Sequence, residues 1–292
     1  MHRMHNTGPG RVFDVFNHIF LAIVALITVV PFLYIIAGSF ATESELATRS
    51  FFIIPYEFTT AAYDYIFSTN AVIRSLGVSV LITVLGTTVS MLLTLTMAYP
   101  LSRKTMVGRN LILNLVLFSM LFGGGMIPTY LLVKNLGLLD SIWALILPVA
   151  INPFNLIIVK TFFQELPKEL EDASKMDGCT EFQTFWRVML PLSKPVIATF
   201  TLFYAVFYWN DFFQALLYLT DTTKWPIQLL LQQLVMVANM GLGDLQEAQL
   251  HEPPEESIKL AVIVVATVPI LLFYPFLQKH FAKGVMLGSV KG

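Results

Sequence analysis

The stretch Glu165-Leu-Pro-Lys-Glu-Leu-Glu-Asp-Ala-Ser-Lys-Met-Asp-Gly-Cys-Thr-Glu-Phe-Gln-Thr-Phe-Trp-Arg-Val-Met-Leu-Pro-Leu-Ser-Lys-Pro195 lies between two long apolar runs, and its reading decides the fold. It reads as two short helices around a glycine. Pro167 suits a first-turn position, and Glu169 and Glu171 follow near the positive end of the helix dipole. Gly178 suits the left-handed position that closes a helix, where any Cβ is penalised. Thr180 and Gln183 fit a reciprocal cap that opens the second helix. On that helix Phe182, Phe185, Trp186 and Met189 fall at i, i+3, i+4 and i+7, which makes one apolar face. Pro191 and Pro195 then end it. Such a face must be buried against the chain's own helices, a bilayer surface or another protein.

The flanking runs set the solvent. Of 292 residues 56% are apolar and only 13% charged, and the mean hydropathy is +0.71. A water-soluble chain of this length needs more charge to cover its surface. Apolar runs of about 20 residues or more, enough to cross ~30 Å of hydrocarbon, fall near 17–39, 71–100, 111–133, 141–163, 195–218 and 258–278. These positions predict an all-α integral membrane protein with six transmembrane helices. Several runs hold Gly or Pro (Gly123-Gly124-Gly125 with Pro128, Pro148, Pro153, Pro269), which packed membrane helices tolerate. The first run, His18 to Ser39, exceeds the ~7–15 residues of a signal-peptide core, so it is read as an uncleaved span. The net charge of −1 points away from nucleic acid. Cys179 is the only cysteine, which excludes an internal disulfide and any Cys-based metal cluster, and the five histidines are scattered.

Lys and Arg orient the spans. With the N-terminus inside, thirteen of the eighteen fall on inner segments, and only Arg49, Arg74, Lys134, Lys224 and Lys259 lie outside. The positive-inside rule therefore places both termini in the cytoplasm. Two outer segments are long. Residues 40–70 carry an amphipathic stretch around Thr60–Phe67. Residues 219–257 hold Asp221, Asp244, Glu247, Glu252, Glu255 and Glu256, with the apolar run Ile227–Val237. That run is too short to span and is expected to lie at an interface or face a partner.

Within the inner loop, Glu171-Asp-Ala173, Asp177-Gly178 and Leu190-Pro191 resemble the EAA motif of ATP-binding-cassette importer permeases, with Asp172 where Ala is usual. The resemblance covers nearly the whole chain and is to the maltose-type, type I permease subunit, with one leading helix and a five-helix core. More narrowly, Gly123-Gly-Gly-Met-Ile-Pro-Thr-Tyr-Leu-Leu-Val-Lys-Asn-Leu-Gly-Leu-Leu-Asp140, Trp209-Asn-Asp211 and Gly288-Ser-Val-Lys-Gly292 are similar to permeases for oligo- and polysaccharides, including uronate polymers such as alginate or polygalacturonate. The resemblance implies a cytoplasmic tail over 1–16, a first helix and periplasmic segment over 17–70, a permease core over 71–279 and a tail over 280–292. It implies that loop 164–194 couples to a separate ATPase subunit through Glu171, Ala173, Asp177, Gly178, Phe182, Phe185, Leu190 and Pro191. It further implies a second permease of a different chain, two ATPase copies, an external solute-binding protein and a bacterial inner membrane. The chain has no Gly-x-x-x-x-Gly-Lys-[Ser/Thr]. Hydrolysis, with its ATP and Mg, therefore belongs to the partner, and the chain is expected to be no enzyme itself and to hold no cofactor of its own.

Asp211 is the one carboxylate placed within a span, and intramembrane ionisable residues mark functional positions. It stands beside Trp209 and Asn210, and Tyr204, Tyr208 and Asp211 fall at i, i+4 and i+7. Hydrogen-bonding groups with aromatic rings suit a saccharide path; contacts between helices suit them equally. Asn152 and Asn155, flanking Pro153, lend themselves to the path or to capping a broken backbone. A secondary transporter or channel would call for intramembrane charge pairs or inverted repeats, and the sequence shows neither convincingly.

Overall fold

The computed structural model describes residues 8–68, 70–239 and 256–288, with side chains for 13–68, 70–236 and 256–272. Asp244, Glu247, Glu252 and Glu255 of the outer segment, and tail residues 289–292, lie outside the described residues. The described residues form helices joined by short irregular segments: α1 (Gly8–Ser39), α2 (Glu43–Thr48), α3 (Ala61–Ser68), α4 (Asn70–Ser102), α5 (Arg109–Leu121), α6 (Met126–Asn135), α7 (Trp143–Ile146) and α8 (Pro153–Glu165). There follow α9 (Lys168–Met176), α10 (Glu181–Thr184), α11 (Leu190–Leu192), α12 (Lys194–Asn210), α13 (Phe213–Tyr218), α14 (Ile227–Asn239) and α15 (Glu256–Gly288).

Two compact units divide the described residues. One draws on Met1–Val72 and Gln233–Thr267. Here Ala37, Ala41, Leu46 and Phe52 form a small core with Tyr34 and Leu260. Glu43 accepts the first N–H groups of α15, from Glu256 at 3.2 Å and Ser257 at 3.4 Å, so a carboxylate meets the positive helix end. Burial alone would raise the Glu45 carboxyl, but the amides of Tyr56 and Glu57 and the Arg49 guanidinium outweigh it and hold it below the usual range. Nothing in the best apolar window of α1 is buried.

The other unit draws on Ile73–Gln232 and Val268–Gly292. Its core forms where α4 and α12 approach closely. Gly86 permits that approach: a Cβ there would lie 2.7 Å from the Tyr208 ring. The Tyr208 hydroxyl bonds Ser90 at 2.8 Å, and the Tyr204 hydroxyl bonds Thr94 at 2.8 Å. Small and hydroxyl residues draw membrane helices together in this way.

Helices Phe13–Ser39 and Asn70–Ser102 are each long and apolar enough to cross a membrane, and the last predicted span falls on α15. The middle spans are bent or broken near the Gly and Pro residues noted in their sequence. The third is α5 and α6, bent by 118° across residues 122–125, where the glycines supply a φ of +86° at Gly125. The fourth breaks by 54° between Val149 and Pro153, because each proline removes a helical N–H. The fifth helix starts at an 82° break around Ser193 and stops at Asn210, short of the predicted 218. Asp211 is extended (φ −76°, ψ 101°), so it does not share a helical face with Tyr204 and Tyr208 as its spacing suggested. The apolar run at Ile227 also differs from expectation: Ile227 and Leu229 are fully buried in the chain's own core, and the Ile227 N–H bonds Ser79 Oγ at 2.8 Å. The other described side chains of α14, through Met236, are half-buried or exposed.

Candidate functional site

The inner loop is built as its punctuation predicts. α9 ends at Asp177, and Gly178 takes the left-handed conformation at φ +79°. The Cys179 N–H then bonds the Ser174 carbonyl and the Gly178 N–H the Lys175 carbonyl, each at 3.0 Å, which satisfies the last carbonyls of α9. α10 opens with the reciprocal cap: the Gln183 N–H donates to Thr180 Oγ1 at 3.3 Å, and the Thr180 N–H to Gln183 Oε1 at 2.9 Å. A buried bond between the Ser174 and Thr184 hydroxyls, 2.8 Å, clasps the two helices together.

Charge pairing fixes the loop further. The Glu171 side chain is only 12% exposed and pairs with Arg103, just past the end of α4, and with Lys175 at 3.3 Å. Lys175 also reaches Glu181 at 2.9 Å, to which the Tyr99 hydroxyl donates at 3.3 Å. The Arg103 guanidinium lies 4.5 Å over the Tyr99 ring. Lys175 titrates above its ordinary value because of Glu181 first and Glu171 next, and Glu181 below its own chiefly because of Lys175. The carboxylate's share of stability is lost as pH falls through its lowered pKa, the ammonium's as pH rises through its raised one. The pair therefore holds across the whole neutral range.

The four-residue apolar face is split in two. Phe185–Met189 is a π turn, wider than an α turn, so residues spaced for one face diverge. Phe185 and Met189 are buried, with the Phe185 ring 4.9 Å from Tyr99 and 6.4 Å from Phe163. Phe182, 70% exposed, and Trp186 point outward with ring centroids 6.0 Å apart. Ala173, Asp177, Gly178 and Pro191 are exposed and Leu190 is half-buried. Met176, 89% exposed at the end of α9, is a further apolar side chain left in the open that was not singled out in the sequence.

The residues predicted for a substrate path are each held by local bonds or packing. Tyr204 and Tyr208 are buried and bonded to α4. The Asn152 side chain caps α8 by accepting the Asn155 N–H at 3.1 Å, and the Asn152 N–H reaches the Tyr204 hydroxyl at 3.3 Å. Asn155 and Trp209 are buried, while Asn210 is exposed and donates to the Val206 carbonyl at 2.8 Å. Asp211 is half-buried and accepts the Gln214 N–H at 3.2 Å, capping α13. A hub at Asp140 was missed. In a left-handed conformation (φ 57°) it accepts the N–H groups of Thr220 and Asp221 at 3.1 and 3.0 Å and pairs with Lys224 at 3.0 Å. Its carboxyl is held low by the Asp221 amide first and by Lys224 next.

Residues 90–287, which hold this loop and the helices it is tied to, match the family described as the binding-protein-dependent transport system inner membrane component. The chain is 65% identical over 292 residues to Protein LplC of Bacillus subtilis (strain 168), covering 100% of this chain and 99% of that protein. It is 57% identical to the polygalacturonan/rhamnogalacturonan transport system permease protein YtcP of the same organism, over 97% of this chain and 99% of that one. A chain in the crystal structure of a bacterial ABC transporter involved in the import of the acidic polysaccharide alginate superposes with a TM-score of 0.86 at 30% identity, covering 94% of this chain and 98% of that one. With two thirds of its length matched and its helices arranged as in that importer, the chain belongs to the family of binding-protein-dependent transport inner membrane components.

Proposed function

We propose that this chain is a permease subunit of an ATP-driven importer of oligo- or polysaccharides, with uronate polymers as the class to test first. Relatives named for polygalacturonan/rhamnogalacturonan transport and for alginate import support that class. In this reading the chain spans the inner membrane with both termini in the cytoplasm. The core is 71–279, preceded by the first helix and its periplasmic segment over 17–70. It assembles with a second, different permease and two ATPase copies, which hold ATP and Mg, and receives sugar from an external binding protein. Closure of the ATPase pair moves the loops and switches the spans between inward- and outward-open states.

The observation that carries the reading is a loop locked by caps and ion pairs that nevertheless leaves Phe182, Trp186 and Met176 outside. A rigid support under exposed aromatic and thioether side chains is the make-up of a docking surface. Glu171, Phe185 and Leu190 support the loop from behind, whereas Ala173, Asp177, Gly178 and Pro191 line its outer side. For the sugar path we favour Asn152, Asn210 and Asp211, with Tyr204, Tyr208, Asn155 and Trp209 as the wall behind them. The test is a reconstituted complex of chain, second permease, ATPase and binding protein. Phe182→Ala with Trp186→Ala should weaken capture of the ATPase by about tenfold or more, as loss of an aromatic anchor does. Undiminished capture together with full oligogalacturonide-stimulated ATP hydrolysis would remove the loop from the docking surface.

A further inference from the structure

We propose that Arg103 is the positioning residue through which movement of the inner loop reaches the membrane-spanning core, an inference that rests on the coupling role given to the loop above. Arg103 follows Ser102, the last residue of α4, and its Nη1 bonds the Glu171 carboxylate on α9. Its remaining donors are idle: Nε and Nη2 are buried and have no acceptor among the described residues. This guanidinium answers to the carboxylates of the loop, bonded to Glu171 on α9 and attracted by Glu181 on α10. Pulling α9 away would part a pair whose side chains are only 21% and 12% exposed, which costs more than parting a fully exposed one. The end of α4 must therefore follow α9.

The other contacts of this corner make the link stiff. The Tyr99 ring lies beneath Arg103, and its hydroxyl reaches Glu181, so both short helices of the loop bear on the last turn of α4. Carbonyls at that helix end are taken by side chains from two further helices, Leu101 by Arg109 Nε at 2.8 Å and Ser102 by Gln164 at 3.2 Å. Higher up, the Ser90–Tyr208 and Thr94–Tyr204 bonds fasten α4 to α12. The Tyr208 hydroxyl also approaches the Ile146 carbonyl at 3.5 Å, at the break in the fourth span. A displacement received at Glu171 thus passes to the end of α4, along α4 past Pro100, then to α12 and the broken span.

The experiment uses the whole complex in vesicles, with its binding protein and oligogalacturonides of mixed length as the probe. Sugar imported per ATP hydrolysed is measured alongside recovery of the assembled complex. Arg103→Gln should leave recovery intact and lower the ratio about fivefold or more, the scale of a coupling free energy between sites. Exchange of the charges, Arg103→Glu with Glu171→Arg, should restore most of the ratio, because it rebuilds the pair with its direction reversed. A wild-type ratio in Arg103→Gln overturns the proposal, and so does a charge exchange no better than its single changes. If Arg103→Gln does not assemble, the charge exchange decides: an assembled, coupled complex supports the proposal, and an uncoupled or unassembled one overturns it. Loss of ATPase capture in the Phe182/Trp186 variant with a normal ratio in Arg103→Gln would defeat this inference alone. A silent Phe182/Trp186 variant would defeat the docking reading instead.

Discussion

α1 and α4 have nearly the same length, 32 and 33 residues, and by hydropathy α1 is the stronger membrane helix, at 2.9 against 2.1. Their surroundings are opposite. None of the apolar window of α1 is buried, while a third of that of α4 is. The difference lies in a stripe. α4 places Ser75, Ser79, Gly86, Ser90 and Thr94 along one side, all buried, and α12 fits against that side through Tyr204 and Tyr208. α1 is dominated by exposed aliphatic and aromatic residues, and its buried small residues, Ala37, Gly38 and Ser39, are confined to its last turn. Hydropathy reports only that a helix tolerates lipid. Small and hydroxyl residues at one-turn spacing report which side meets protein, because they let backbones approach and offer hydrogen bonds there.

The contrast is most directly broken at Gly86. Gly86→Leu forces atoms where a Cβ already lies 2.7 Å from the Tyr208 ring, so overpacking should cost about 1–3 kcal/mol or more. Thermal unfolding of the purified chain reads the loss; an unchanged midpoint would mean that α4 and α12 do not pack through this stripe. A smaller effect is expected for Tyr208→Phe, which keeps the ring and removes the bond to Ser90. Interhelical hydrogen bonds in membranes are worth about 0.6 kcal/mol, so the midpoint should fall slightly, and the double change with Ser90→Ala should add little. The smallest change belongs to α1. Leu26 is 62% exposed, so Leu26→Ala should stay within about 0.5 kcal/mol in the isolated chain, where a packed leucine would cost about 2–5. A loss of the larger size would show that the middle of α1, and not only its last turns, packs against its own chain.

What the sequence revealed follows the range of the interaction. The loop's turn chemistry was legible because glycine, Thr180 and Gln183 act on backbone within a few positions of themselves. The split of Phe182 from Phe185 was not, because helical spacing presumes an α turn and Phe185–Met189 adopts a π turn to bury two of its residues. Asp211 was misplaced for a related reason: the tyrosines keep to the helix, but the carboxylate prefers to leave it and cap the next. Arg103 was invisible as a site residue, since its partner lies 68 positions away and nothing local marks it. Asp140 was legible only as part of a longer match, because its role depends on a left-handed φ that sequence does not display.

Residues 122–125 interrupt the third span about midway and are exposed in the isolated chain. Hydrocarbon offers no partner to a peptide group outside a helix, and such backbone persists at membrane depth only against protein or water. A copy that has not met its partners therefore carries a visible sign of being unfinished. What finishes it is protein or water set against residues 122–125, since nothing else at that depth can pair with their peptide groups.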